Sequence, residues 1–172
     1  TRIKEQAAIQ VQSKGSDKPV YKVVDHGRYK ERDRGLYRLP PPSKADVYFD
    51  MEGFPLVKDG LEYLWGATYV EGGSRCYGDF WAHDQAEERV ALEKFIDWVY
   101  ARWQKEPTMH VYHYAQYEIT ALSRLTQRYA TRESQLDDLK RAGVFVDLFQ
   151  VVRHGVLIGQ PSYSIKYVEH IY

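Results

Sequence analysis

The chain has 172 residues, 44% of them hydrophobic and 15% aromatic, with 24 basic side chains against 24 acidic ones and a single cysteine, Cys76. That length and aromatic content exclude a chain disordered along most of its length, and the lone cysteine excludes an internal disulfide and a cysteine-built zinc site. No apolar run approaches the roughly 20 residues of a membrane span, so no membrane is expected as a partner and a reducing, cytoplasmic setting is.

The basic residues are unevenly placed. Between Lys14 and Lys44, with Lys18, Lys22, Arg28, Lys30, Arg32, Arg34 and Arg38 between them, they outnumber the acids. A solvated connecting arm and a phosphate-contacting arm both fit that pattern. Residues 1–14 read as a helix stopped by Gly15, Ser16, Asp17 and Pro19, and Pro40-Pro41-Pro42 reads as a stiff spacer. Residues 1–43 are therefore expected to be an N-terminal arm or linker, and 44–172 the folded domain.

The first strand is expected at Asp46–Glu52, β-branched and aromatic, ended by Gly53 and Pro55. Tyr63–Val70 predicts a second strand. Glu71-Gly72-Gly73-Ser74 predicts a hairpin turn, and Ser74–Ala82 the returning strand. Asp84, three residues before Glu87, marks a helix start. The apolar stripe Leu92, Phe95, Ile96, Val99 and Trp103 then defines that helix up to Pro107. A short buried strand at Met109–His113, a helix at Ala115–Tyr129, a polar helical segment at Ser134–Arg141, a strand at Val144–Val146 and a helical tail at Ser162–Tyr172 complete the order. Three antiparallel strands followed by helical crossovers pack most economically as a mixed sheet with helices on its faces, an α/β fold.

Three carboxylates carry the chemical argument. Strand alternation places Tyr48, Asp50 and Glu52 on one face and Val47, Phe49 and Met51 on the other. Asp50 and Glu52 then stand about 7 Å apart at Cα, where two like charges call for a cation; hard divalent ions such as Mg²⁺ or Mn²⁺ prefer such oxygen ligands. Asp-x-Glu alone equally suits an exposed strand end. Glu118, however, lies on the apolar stripe of Leu122, Leu125 and Tyr129, with no Arg or Lys sharing it. A carboxylate aimed at a core interface needs a partner, either a distant basic residue or a metal shared with Asp50 and Glu52.

Phe49-Asp50-Met51-Glu52-Gly53 resembles the first motif of the DEDD exonuclease superfamily, whose fold is RNase H-like, and Tyr112–Glu118 resembles its second. More narrowly, Leu39–Pro42 with Asp46–Gly53, then Tyr112–Glu118, Val146–Arg153 and Tyr163–Glu169 resemble the RNase H-like domain of RecB-like putative nucleases. The resemblance spans about Leu36 to Tyr172. It implies a five-stranded mixed sheet in the order 3-2-1-4-5 with the Asp50 strand central. It also implies two-metal phosphodiester hydrolysis, with Asp50 on both ions, Glu52 on the nucleophile side and Glu118 on the second ion. Flanking nuclease and helicase domains would complete the parent chain.

Two departures accompany it. Glu118 stands where the superfamily usually has Asp, and His113 where it has Asn. The third motif, with the last Asp ligand, is expected beyond Tyr172, so the domain is expected to be incomplete at its C-terminus, weakly active or inactive, and prone to self-association through an open sheet face.

Other residues admit two readings each. His113 is either a satisfied core histidine or a residue steadying the ligands. Asp147 is either a helix N-cap or a similar support. Tyr114 and Tyr117 either stack on bases or pack, and Lys166 either meets a phosphate or opens a helix. The functional expectation is a metal-dependent 3′–5′ exonuclease acting on DNA or RNA. The alternative is a non-catalytic module that binds nucleic acid or braces neighbouring domains.

Overall fold

The computed structural model describes residues 2–16, 18–24 and 34–171. Its elements are α1 (Arg2–Gln12), β1 (Tyr21–Val23), a 3₁₀ turn at Gly35–Arg38, β2 (Val47–Phe54), β3 (Leu61–Glu71), β4 (Ser74–Trp81), α2 (Gln85–Lys105), β5 (Val111–His113), α3 (Tyr117–Tyr129), α4 (Glu133–Arg141), β6 (Phe145–Asp147), α5 (Leu148–Gly155), β7 (Val156–Ile158), α6 (Ile165–Val168) and a last 3₁₀ turn at Glu169–Ile171. They fall into two units, residues 41–146 and residues 1–40 with 147–172.

In the larger unit the sheet order is β4-β3-β2-β5-β6, which is 3-2-1-4-5 counted within the sheet, with β2 central as expected. β2 runs antiparallel to β3 and parallel to β5. Its side chains alternate buried and exposed from Val47 to Glu52. Asp50 pairs with Gly66, and Gly66 with Asp79, so these three positions share a face. The β3–β4 hairpin turns through Gly72 and Gly73, with φ of +57° and +82°. Two successive positive φ values suit the twist of a hairpin and favour glycine.

The opposite face carries the core. Phe95 of α2 is its centre: its ring stacks on Phe49 at 4.2 Å and meets Trp65 and Phe80 edge-on, each at 5.9 Å. The predicted stripe of α2 is buried at Leu92, Phe95, Ile96 and Val99, and Trp103 packs against it. α3 and α4 join the same cluster through Ala121, Leu122, Leu125, Leu136 and Leu139. Asp84 caps α2 by accepting from the Glu87 N–H at 2.9 Å. The Glu87 carboxylate reaches back one residue further than expected, accepting from the His83 N–H at 2.8 Å.

The smaller unit is built from two distant stretches. β1 pairs antiparallel with β7, Tyr21 opposite Ile158 and Val23 opposite Val156. Gln6 Nε2 of α1 donates to the Ile158 carbonyl at 2.7 Å, and the Tyr163 hydroxyl donates to the Val156 carbonyl at 2.9 Å. The segment expected as an arm thus holds a helix and a strand tied to residues 156–158, because backbone groups at 21–23 find ladder partners there. Arg28, Lys30 and Arg32, on which the basic-arm expectation partly rests, lie outside the described residues. The expected tail helix is shorter, split between α6 and the last 3₁₀ turn.

Candidate active site

Asp50 projects from the middle of β2 on the face away from the core, and its exposed side chain has Glu52 two residues on. The register between β2 and β3 shifts just past the second carboxylate, between Glu52 and Gly53, where Tyr63 is the extra residue on β3. Glu118 arrives from the first turn of α3. The loop before it, Tyr114 to Gln116, turns through Ala115 at φ +71°, a left-handed conformation that costs a non-glycine residue of order 1 kcal/mol. His113 holds that turn: its Nδ1 lies 2.7 Å from the Ala115 carbonyl, to which it donates.

The result is a buried acid beside an exposed one. Glu118 is 3% exposed, and its Oε2 has no hydrogen-bond partner. His113 Nδ1 is 3.7 Å away, beyond hydrogen-bond reach. The Asp50 carboxyl is held above the usual aspartate range. Partial desolvation is the largest cause; the Met51 N–H, donating to Oδ1 at 3.0 Å, opposes it, and repulsion from Glu118 and Glu52 adds to it. Asp50 and Glu118 therefore face each other, with Glu52 close enough for its charge to be felt.

An oxygen in such a place fits a cation. A buried carboxylate oxygen without a donor costs about 1–3 kcal/mol or more, and a divalent ion would satisfy it and neutralise the repulsion on Asp50. Asp50 and Glu118 have the hard oxygen donors that Mg²⁺ and Mn²⁺ select. The three-carboxylate set expected from the sequence is not closed, however. Among the described residues no three His, Cys, Asp or Glu side chains are gathered tightly enough to hold a metal ion. Glu52 is exposed, the last residue of β2 before its register with β3 shifts.

The remaining candidates fall in several places. His113 is buried, packs edge-on against Phe145 at 6.4 Å and steadies the turn that presents Glu118. Tyr114 is half-buried in that turn. Tyr117 is 51% exposed, with its hydroxyl donating to Glu62 Oε2 at 2.7 Å. Asp147 and Lys166 belong to the smaller unit. Asp147 caps α5, its Oδ1 accepting from the Phe149 N–H at 2.9 Å, which is the N-cap reading of that residue. Lys166 is exposed on α6.

Two participants were not singled out from the sequence. Glu62, 5% exposed on β3, takes the Tyr117 hydroxyl and Arg124 Nη2, the latter at 2.6 Å. Ala115 adopts the left-handed turn with no sequence signal, since such positions ordinarily call for Gly or Asn.

The family model RNase_H_2, of the RNase H superfamily, matches residues 47–172. The chain belongs to that superfamily, which points to nuclease-like or nucleic-acid-related activity. The matched segment begins at the first residue of β2 and contains Asp50, Glu52 and Glu118. No curated protein and no solved structure gives a significant match.

Proposed function

We propose that this chain is a metal-dependent nuclease domain of the DEDD type, a 3′–5′ exonuclease hydrolysing phosphodiester bonds of DNA or RNA. The observation that supports it most is the buried, unpartnered Glu118 Oε2 facing Asp50. Asp50 and Glu118 would hold a Mg²⁺ or Mn²⁺ ion between them, and Glu52 would swing in from solvent once their charge is neutralised. When bound, the cation supplies Lewis acidity toward a water nucleophile and the phosphoryl oxygens. Asp50, whose proton affinity is raised, is the ligand whose charge the ion must fix. His113 keeps Glu118 in place by pinning the Ala115 turn. The four motif blocks favour a setting inside a larger cytoplasmic RecB-like protein with nuclease and helicase neighbours.

The test is release of nucleotides from end-labelled single strands of DNA and RNA with and without Mn²⁺. The proposal expects Mn²⁺-dependent shortening from the 3′ end, weak in the 172-residue chain and lost in Asp50→Ala. A second reading, a non-catalytic nucleic-acid-binding module, is favoured by one observation, the open ligand set. It expects strand binding that is indifferent to both Mn²⁺ and Asp50→Ala, with no shortening.

A further inference from the structure

Tyr117, Glu62 and Arg124 form a polar link beside the carboxylates that the hydrolytic reading leaves without a task. Glu62 Oε2 accepts from the Tyr117 hydroxyl at 2.7 Å, and Oε1 accepts from Arg124 Nη2 at 2.6 Å. Both donors lie on α3, one just before Glu118 and the other two turns along. Glu62 itself is on β3, opposite Gly53, the residue after Glu52. The approach is close: a β-carbon at position 53 would overlap the Tyr117 hydroxyl and lie 2.5 Å from Glu62 Oε2. A side chain at 53 would therefore have to displace the Tyr117 hydroxyl and the Glu62 carboxylate from each other.

One buried carboxylate thus joins the start of the helix that carries Glu118 to the end of the strand that carries Glu52. The join spans the register shift next to Glu52, where Tyr63, the neighbour of Glu62, is the extra residue on β3. An ion pair whose arginine is exposed adds little net stability. Its stronger effect is geometric, because a carboxylate with two donors has a fixed place. Tyr117 is the donor in this link, since the Glu62 carboxylate can only accept.

We propose that Tyr117, Glu62 and Arg124 are a positioning unit that sets the separation of Glu52 from the Asp50–Glu118 pair, and with it the affinity of this site for a divalent cation. The inference rests on the cation-site reading above. Residues behind metal ligands commonly alter metal affinity by about 10- to 100-fold when removed, and that range is the expected effect here.

The experiment is calorimetric titration of the 172-residue chain with Mn²⁺. It compares the natural chain with Tyr117→Phe, Glu62→Gln, the double variant and Asp50→Asn, each also melted without metal. Tyr117→Phe keeps the ring and loses only the hydroxyl, so it reports even where Glu62→Gln fails to fold. The expected result is Mn²⁺ binding by the natural chain, at least about tenfold weaker in each single variant. The double variant should be no weaker than the worse single one, since the residues act as one unit. Binding by the natural chain with an unchanged dissociation constant in Tyr117→Phe overturns the inference alone, whatever happens to the melting temperature. No binding by the natural chain, or equal binding by Asp50→Asn, overturns the cation-site reading and the inference with it.

Discussion

Replacing Glu118 by glutamine should make the metal-free protein more stable and the metal-loaded protein less so. Glu118 is 3% exposed, and its Oε2 has no hydrogen-bond partner. The natural side chain thus carries the penalty of a buried, unsatisfied charged oxygen, about 1–3 kcal/mol or more. A glutamine of the same shape removes the charge, ends the repulsion on Asp50 and brings an amide that can donate to it. In a chain of 172 residues, 1 kcal/mol corresponds to about 2–4 °C in melting temperature. Glu118→Gln should therefore melt about 2–12 °C higher in EDTA. Mn²⁺ at about 100 times its dissociation constant adds about 2.7 kcal/mol to a protein that binds it only when folded, so the natural chain should gain about 5–11 °C while the variant gains little. The two melting curves should approach or exchange order as Mn²⁺ is added. The assay is thermal unfolding followed by circular dichroism, in EDTA and across a Mn²⁺ series. If Glu118→Gln is the less stable chain in EDTA, or if Mn²⁺ raises both chains equally, the account of Glu118 is wrong.

Asp50→Asn should show a pH-dependent gain. The Asp50 carboxyl is raised above its ordinary value of 3.8, so the folded state holds its proton more tightly than the unfolded one. Its contribution to stability is then complete below that ordinary value and is lost as pH rises through the raised one. Without metal, Asp50→Asn should melt above the natural chain at neutral pH, and the gap should close on acidification; a gap that widens toward acid contradicts the sign. Asp84→Ala removes the side chain that accepts from the Glu87 N–H and should cost about 1 kcal/mol, with Mn²⁺ affinity untouched in the same titration. Leu92→Ala, at a fully buried position under the sheet, should cost about 2–5 kcal/mol in chemical denaturation.

The larger unit was legible wherever local pattern and tertiary packing agree. The alternation from Val47 to Glu52 gave a strand whose faces are those observed. Gly72-Gly73 marked the hairpin because few other residues tolerate two positive φ values. The stripe from Leu92 to Val99 marked α2, whose apolar face is the core itself. The β1–β7 pair was not legible, since Tyr21–Val23 and Val156–Ile158 are three-residue segments with no period to detect and a partner far away in sequence. Of the site, Glu118 was visible from its place on an apolar stripe. Its missing hydrogen-bond partner was not, nor was Glu62. Glu62 looks like an ordinary strand acid until the register sets it opposite Gly53 and within reach of Tyr117.

The most direct test of the cation site is diffraction from crystals soaked in Mn²⁺, with data collected at a wavelength where manganese scatters anomalously. The account predicts an anomalous peak bonded to Asp50 and to Glu118 Oε2, with Glu52 drawn toward it and no such peak in Asp50→Asn. Full soaking that leaves Glu118 Oε2 without a peak, or places manganese only at other surface carboxylates, would contradict it.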